Sequence, residues 1–380
     1  MATHSGSESV VRGEIVSTPV DAAQPLQQVW RHTLRSDESG ARDGAAPVLL
    51  VHAATLGRDM FLEPKGGFAK YLLEKKTGGR PTFDVLTLDW RASNNLLGKD
   101  GGPALGLPAD EFRVDRVADD VQFGVQVAGR QHAGKPITIV AHCMGAAGTA
   151  QALASGKIGG GEAPVGNVVL ATIGLFYRIG VDNALKTAEN VMRLLEDARV
   201  PVLSPHVADG SAPPWPEDFD RMYHMWRATL LPHGCGNDFC DRLWFMFGGD
   251  YRGDNIRALH DQKGFLQCQF GAMPVGLYNH IVMNCQRGYA VPWASPDSRE
   301  LLNARRFEGR RITLLTGDEN QVWHRDSIDT MYEWLRSTVD RRTTDVRKVV
   351  VPSFGHVDLW WGGQSQSQVF TKVLEGISGA

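Results

Sequence analysis

The chain has 380 residues, 42% of them hydrophobic and 22% charged, which is a globular composition and excludes a collagen-like or wholly disordered chain. Its 40 Lys and Arg against 43 Asp and Glu give a formal net charge of −3, so the basic footprint of a nucleic-acid binder is missing and polyanion substrates lose support for the same reason. Apolar runs such as Val48–Val51 and Val168–Ala171 fall far short of the ~20 residues that span a bilayer, so no membrane span is expected.

The opening MATHSGSESVVRGE lacks a basic start followed by an apolar stretch, so no secretory signal is expected and the tail should be loose. Alternation over Ser9 to Ser17 and Gln28 to Leu34 predicts two antiparallel edge strands. The Gly, Asp and Ser content of Asp37 to Ala46 predicts a loop. Beyond it, short unbroken apolar runs alternate with longer helical ones. Strands are predicted over Pro47–Ala53, Phe83–Asp89, Pro136–His142, Asn167–Ile173, Arg311–Thr316 and Arg347–Val351, and crossover helices near Arg58, Val114, Met144, His324 and Ser367. Unbroken apolar strands alternating with helices predict an α/β protein with a mostly parallel, doubly wound sheet.

The rhythm stops between Tyr177 and Arg310, where much of the aromatic and Met content lies and where Phe219–Leu231 reads as an amphipathic helix. Residues 1–176 and 311–380 are therefore expected to form the core, and 177–310 an inserted helical cap. Any one aromatic there packs more readily than it binds, but the cap as a whole could line an apolar cavity, with Trp226 and Trp244 as candidate substrate contacts.

The five cysteines are an odd number without zinc-ligand spacing, Cys235 and Cys240 included, which predicts a cytoplasmic protein with free thiols and no metal site. No cofactor is implied either. Gly156 to Gly161 lacks a G-x-G-x-x-G opening a helix, and Gly248-Gly249-Asp250 reads as a turn.

The stretch from Ile137 to Gly148, ITIVAHCMGAAG, carries the chemistry. An apolar strand runs into a tight turn and then a helix of small residues, the context of the nucleophile elbow G-x-S-x-G. Ala141 stands at the first Gly position and Cys143 replaces Ser. Gly145 and Gly148 suit a strained turn with close backbones. A helix N-terminus beside the sulfur should favour thiolate and depress the thiol pKa. The bland alternative is a buried structural cysteine at a strand end. The backbone N–H of Met144, directly after the nucleophile, and one from about Ala54, after the strand Pro47–Ala53, are the expected oxyanion donors. His52 is expected to be a structural loop residue, and His142 to face away from the site.

A base is expected late in the chain, where a strand ends in the loop Phe354-Gly355-His356. The third member is left open between Asn320 and Asp318, in the turn after Ile312–Gly317, with Asp358 a weaker candidate. An Asn suffices where the third group only orients the ring, as in a Cys-His-Asn arrangement. Asp89 and Arg91 read as a structural pair.

This order of elbow, late acid region and terminal His resembles the α/β-hydrolase superfamily. Leu88–Ser93, His142–Gly145 and Phe354–Asp358 more narrowly resemble the hydrolase-like domains found alone or fused to glucose-methanol-choline oxidoreductases. The resemblance covers roughly 47–176 and 311–380 and implies the α/β-hydrolase fold. Cys-elbow members of the superfamily include dienelactone hydrolases, polyhydroxyalkanoate synthases and thioesterase-like cyclases of polyketide pathways. The chain is too long for the first and lacks the Gly-Gly after the elbow of the second.

A cysteine here forms an acyl thioester, and the acceptor decides the product: water gives a hydrolase, a substrate hydroxyl a lactone, an outside alcohol or amine a transferase. The leading reading is an acyl-transfer enzyme of thioesterase or lactone-forming type, acting on a small-molecule apolar acyl or polyketide-type thioester, with delivery by a carrier protein left open. The alternatives are a carboxylesterase of oxo-esters and a non-catalytic binding protein on a hydrolase scaffold. Oligomeric state leaves no mark on the sequence.

Overall fold

The protein is described from a computed structural model, which describes residues 11–17, 26–36, 44–132, 134–161, 163–180, 183–184, 187, 191–230, 236–249, 253–262 and 264–378. The expected loose tail, residues 37–43 of the predicted loop, Leu231, Cys235 and Asp250 lie outside them.

Eight strands form one sheet: β1 (Val11–Ser17), β2 (Gln28–Leu34), β3 (Ala46–Val51), β4 (Phe83–Asp89), β5 (Ile137–His142), β6 (Val165–Ala171), β7 (Arg311–Gly317) and β8 (Asp345–Val351). Their spatial order is β1-β2-β4-β3-β5-β6-β7-β8, antiparallel at β1/β2 and β2/β4 and parallel elsewhere. The central strands are buried on both faces, which is why they read as unbroken apolar runs, whereas β1 and β8 at the edges are mostly exposed or half-buried. Helices α1 (Gly67–Leu73), α2 (Val114–Gln131), α3 (Met144–Ala154), α8 (Asp326–Thr338) and α9 (Thr371–Ser378) cover the sheet. In α2 the buried Val114, Val117, Val121, Val125 and Ala128 form the stripe that packs on α3 and the sheet.

The predicted doubly wound sheet is present, with shifts at element ends. The strand predicted to Ala53 stops at Val51, because the chain turns at His52 into the loop that carries Ala54. The helix near Arg58 is one 3₁₀ turn, Arg58–Phe61; Pro64 and Gly66 follow before α1 begins at Gly67. A π-helical turn at Gln366–Phe370 leads into α9.

Four longer helices occupy 177–310: α4 (Val191–Asp197), α5 (Glu217–Leu230), α6 (Asp238–Phe247) and α7 (Val275–Arg287). The described strands of this interval, Val202–Leu203 and Met273–Pro274, pair with each other and not with the main sheet. Among the described residues no helix is long and apolar enough to cross a membrane.

The chain leaves β3 for β4 on one side and returns to β5 on the other. The carboxyl ends of β3 and β5 thus flank a topological switch point, where open α/β sheets hold their ligands.

Asp89 and Arg91 do not pair with each other, contrary to the sequence reading. Asp89 accepts from the Arg58 backbone N–H (2.8 Å), Ser93 Oγ (2.8 Å) and Asn95 Nδ2 (3.2 Å), while buried Arg91 forks onto Asp120 of α2, Nε to Oδ2 at 2.8 Å and Nη2 to Oδ1 at 2.6 Å. Adjacent residues after a strand diverge, and each finds its partner from another element. Asp120→Ala leaves the buried guanidinium with only the half-exposed Glu111 carboxylate (3.4 Å) and is expected to cost ~3 kcal/mol, read as a fall in the urea midpoint; an unchanged midpoint would mean that Glu111 or water compensates Arg91.

Candidate active site

The turn after β5 is strained. Cys143 sits at φ 54°, ψ −125°, as the N-cap of α3, a region that a side chain rarely adopts unless its surroundings fix it. Those surroundings are the backbone: Cys143 N–H donates to Ala171 O (3.0 Å) and Ala147 N–H to Cys143 O (2.9 Å). The small residues are needed as expected. A Cβ on Gly145 would overlap the His52 carbonyl oxygen, and one on Gly148 would lie 2.5 Å from Val117 Cγ1. Ala141 is buried between its register partners Val51 and Leu170.

Three donors converge on the sulfur. Trp323 Nε1–H points to Sγ at 3.4 Å, and the backbone N–H groups of Met144 and Ala54 reach it as well. Their pull does not win. Cys143 is only 7% exposed, and burial pushes its thiol up to about 11. The expected depressed pKa is thus corrected: removal from water outweighs the helix terminus and the three donors together.

His356 follows β8 on a loop that runs close against the end of β7; a Cβ on Gly317 would overlap Phe354 O. Its Nδ1 lies 3.2 Å from Asn320 Oδ1. That oxygen also accepts from Val322 N–H (3.2 Å) and Trp323 N–H (3.3 Å), while Nδ2 donates to Thr316 Oγ1 (3.4 Å). Two backbone donors therefore fix which end of the amide is oxygen. It follows that Nδ1 of His356 carries the proton and Nε2 keeps its lone pair. Burial pulls the imidazole down to about 3.

The other carboxyl candidates are engaged elsewhere. Asp318 Oδ1 accepts from Ser353 N–H at 2.6 Å, and Asp358 Oδ2 from Gly355 N–H at 2.7 Å, with burial pushing Asp358 up to about 6. Both line a polar groove of about 360 Å³ with Glu319, His324 and one side of His356.

Cys143, Met144, Ala54 and His356 line one cavity of about 70 Å³ together with Trp323, Met246, Phe247, Met273 and Ile281. Trp226 and Trp244 do not line it, which corrects the sequence reading. Trp226 packs on Trp244 (6.1 Å between centroids) and Phe245 (5.2 Å), joining α5 to α6. Met246 and Phe247 lie further along α6 and reach the cavity instead. Trp323 went unrecognised; its signal was its place three residues after Asn320, in the turn that orients the His356 ring.

His52 is structural as expected. Its Nδ1–H donates to Ala53 O (2.6 Å), its ring stacks on Trp90 (5.3 Å, 14°), and burial pulls it down to about 4. His142 does not line the cavity, yet its ring lies 4.6 Å from that of His356, so the expectation that it turns away from the site is corrected too. Among the described residues no group of three or more His, Cys, Asp or Glu could hold a metal ion.

The sequence model of the alpha/beta hydrolase family matches residues 48–362. Similar solved structures include a highly thermostable carboxyl esterase from Bacillus coagulans in complex with glycerol, 13% identical, covering 97% of this chain and 98% of that one with a TM-score of 0.56. A lipase in its open form is 14% identical, with 97% and 99% coverage and a TM-score of 0.52. At these identities the likeness is one of fold. No curated protein matches the sequence.

Two expectations follow from the electrostatics. With its thiol near 11, Cys143 should be alkylated by iodoacetamide at pH 7.5 more slowly than exposed Cys268, and its rate should rise about tenfold per pH unit toward 9.5, followed by peptide mass spectrometry. Rapid labelling at neutral pH would mean a preformed thiolate. His52, His142 and His356 are all held uncharged in the folded chain but protonate near 6.5 when unfolded. Their contribution is unaffected above that pH and is lost as pH falls from about 6.5 toward 4, by ~1.4 kcal/mol per pH unit for each group. Urea midpoints at pH 7 and 5 measure it, and equal midpoints would refute the buried, neutral state.

Proposed function

The chain belongs to the α/β-hydrolase family, and from that footing we propose that it is an acyl-transfer enzyme in which Cys143 carries the acyl group as a thioester. The observation that supports this most directly is the convergence of the Met144 and Ala54 N–H groups on Cys143 Sγ, inside a cavity that His356 also lines. His356 Nε2 takes the thiol proton as sulfur attacks the acyl carbonyl. The Met144 and Ala54 N–H groups turn to the oxyanion. His356 then protonates the leaving thiol or alcohol and activates the acceptor, while Asn320 keeps its ring in the required tautomer.

The neutral state of both groups makes this general-base chemistry, with ionisation coupled to attack and no standing thiolate–imidazolium pair. The cavity wall is mainly Met, Phe, Ile and Val, so the acyl group is apolar. About 70 Å³ takes a short acyl chain. A polyketide-length chain requires residues 177–310 to act as a lid that opens. The sequence-level link to domains fused to glucose-methanol-choline oxidoreductases and to thioesterase-like cyclases agrees with this reading, and the third group is assigned to Asn320, not Asp318.

The neutral thiol is also what a binding protein on this scaffold would have, so turnover decides between the two. Incubation with the butyryl thioester of N-acetylcysteamine should give a butyryl adduct by intact mass and release free thiol. Cys143→Ala should lose the adduct and lower turnover at least about a thousandfold, and Asn320→Ala should lower it about ten- to a hundredfold. An adduct persisting in Cys143→Ala removes Cys143 from the chemistry. No turnover of thioester or matched oxo-ester favours the binding protein.

A further inference from the structure

His142 closes β5 immediately before the elbow. Its ring is fully buried, and among the described residues neither Nδ1 nor Nε2 has a hydrogen-bond partner. Two unsatisfied buried nitrogens are a cost to folding that an apolar side chain of similar size would not carry. What the ring meets is the base: its centroid is 4.6 Å from that of His356, the planes tilted by 46°. It also meets the Trp360 indole at 5.9 Å and 80°, and Trp360 Nε1 is likewise unsatisfied.

At Nδ1, His356 has the uncharged amide of Asn320. The imidazolium formed when His356 takes the Cys143 proton therefore faces no carboxylate there. Resting on the Cys143–His356 reading above, we propose that His142 is a positioning residue: an uncharged ring that lies against His356 and supports its protonated form, a task a carboxylate at Nδ1 would otherwise perform. An aromatic face attracts a neighbouring cation, the more so where water is excluded. Of the groups around His142, Trp360 is uncharged and His356 alone acts on its titration. Burial holds His142 well below the ordinary imidazole range, and charge on His356 lowers it further, so charge on one ring disfavours charge on the other. The proton balance leaves His142 untouched. The proton passes from Sγ to His356 Nε2 as the S–C bond forms, then to the leaving group as its bond to carbon breaks.

The test compares His142→Leu, which removes the aromatic face, with His142→Phe, which keeps the face and removes the nitrogens, using the butyryl thioester of N-acetylcysteamine at pH 8. His142→Leu is expected to lower kcat at least about tenfold with KM within about twofold, and His142→Phe to recover kcat to within about threefold of the parent. His142→Met replaces the Leu variant if that one does not fold. Parent-like kcat in His142→Leu, or equal losses in Leu and Phe, overturns the proposal. Cys143→Ala as active as the parent would instead overturn the mechanism beneath it, and the two failures are told apart within one set of assays.

Discussion

Oδ1 of Asn320 accepts from Val322 N–H, Trp323 N–H and His356 Nδ1, and the rest of the site hangs from that one oxygen. The two backbone donors orient the amide, the amide orients the imidazole, and the imidazole is left with its lone pair on Nε2. The same turn carries Trp323, whose indole N–H lies on Cys143 Sγ. Imidazole and thiol are thus indexed to each other through four consecutive residues. A free amide could rotate and present Nδ2 to the ring, which would force the wrong tautomer. Here rotation would cost two backbone hydrogen bonds, so a neutral group can do the orienting job more often given to a carboxylate.

The neutrality of Asn320 fits the electrostatics around it. A helix N-terminus is worth ~0.3–1 kcal/mol to an anion, less than desolvation costs a buried charge. That ordering explains why the thiol rises and the imidazole falls. A carboxylate at position 320 would be a third buried group in need of charge compensation. With Asn there, thiol, imidazole and amide all rest uncharged, and the resting site carries no buried charge to desolvate. The neighbouring acids Asp318 and Asp358 do not disturb this, since each is tied to a backbone N–H on the groove side.

What the sequence made legible was local. The elbow needs an apolar strand, a strained residue and small neighbours in one short stretch, and all are written contiguously from Ile137 to Gly148. Strands β2 and β4 show their full bounds because period and turn residues are properties of the segment itself. Partner choice is not local, and there the reading failed. Arg91 finds Asp120 on α2, and Asp89 finds Arg58 and Asn95. Trp226 and Trp244 looked like cavity residues because the cap reads as aromatic throughout, but composition does not say which face of α6 meets α5. His142 looked irrelevant because alternate residues of a strand point to opposite sides; the loop bearing His356 comes from a distant part of the chain and lays its ring there.

His356 also borders two environments. On one side lies the narrow, mostly apolar cavity with the sulfur; on the other, a wider groove lined by Asp318, Glu319 and Asp358. In the proposed reaction, positive charge on His356 and negative charge on the oxyanion arise together, on the apolar side. Each is then the nearest counter-charge of the other, in a space from which water is largely excluded. The attraction is strongest when charge separation is greatest and absent when the groups are neutral. A resting site without formal charge is therefore compatible with catalysis, because its stabilising interactions come into force with the transition state and not with the free thiol.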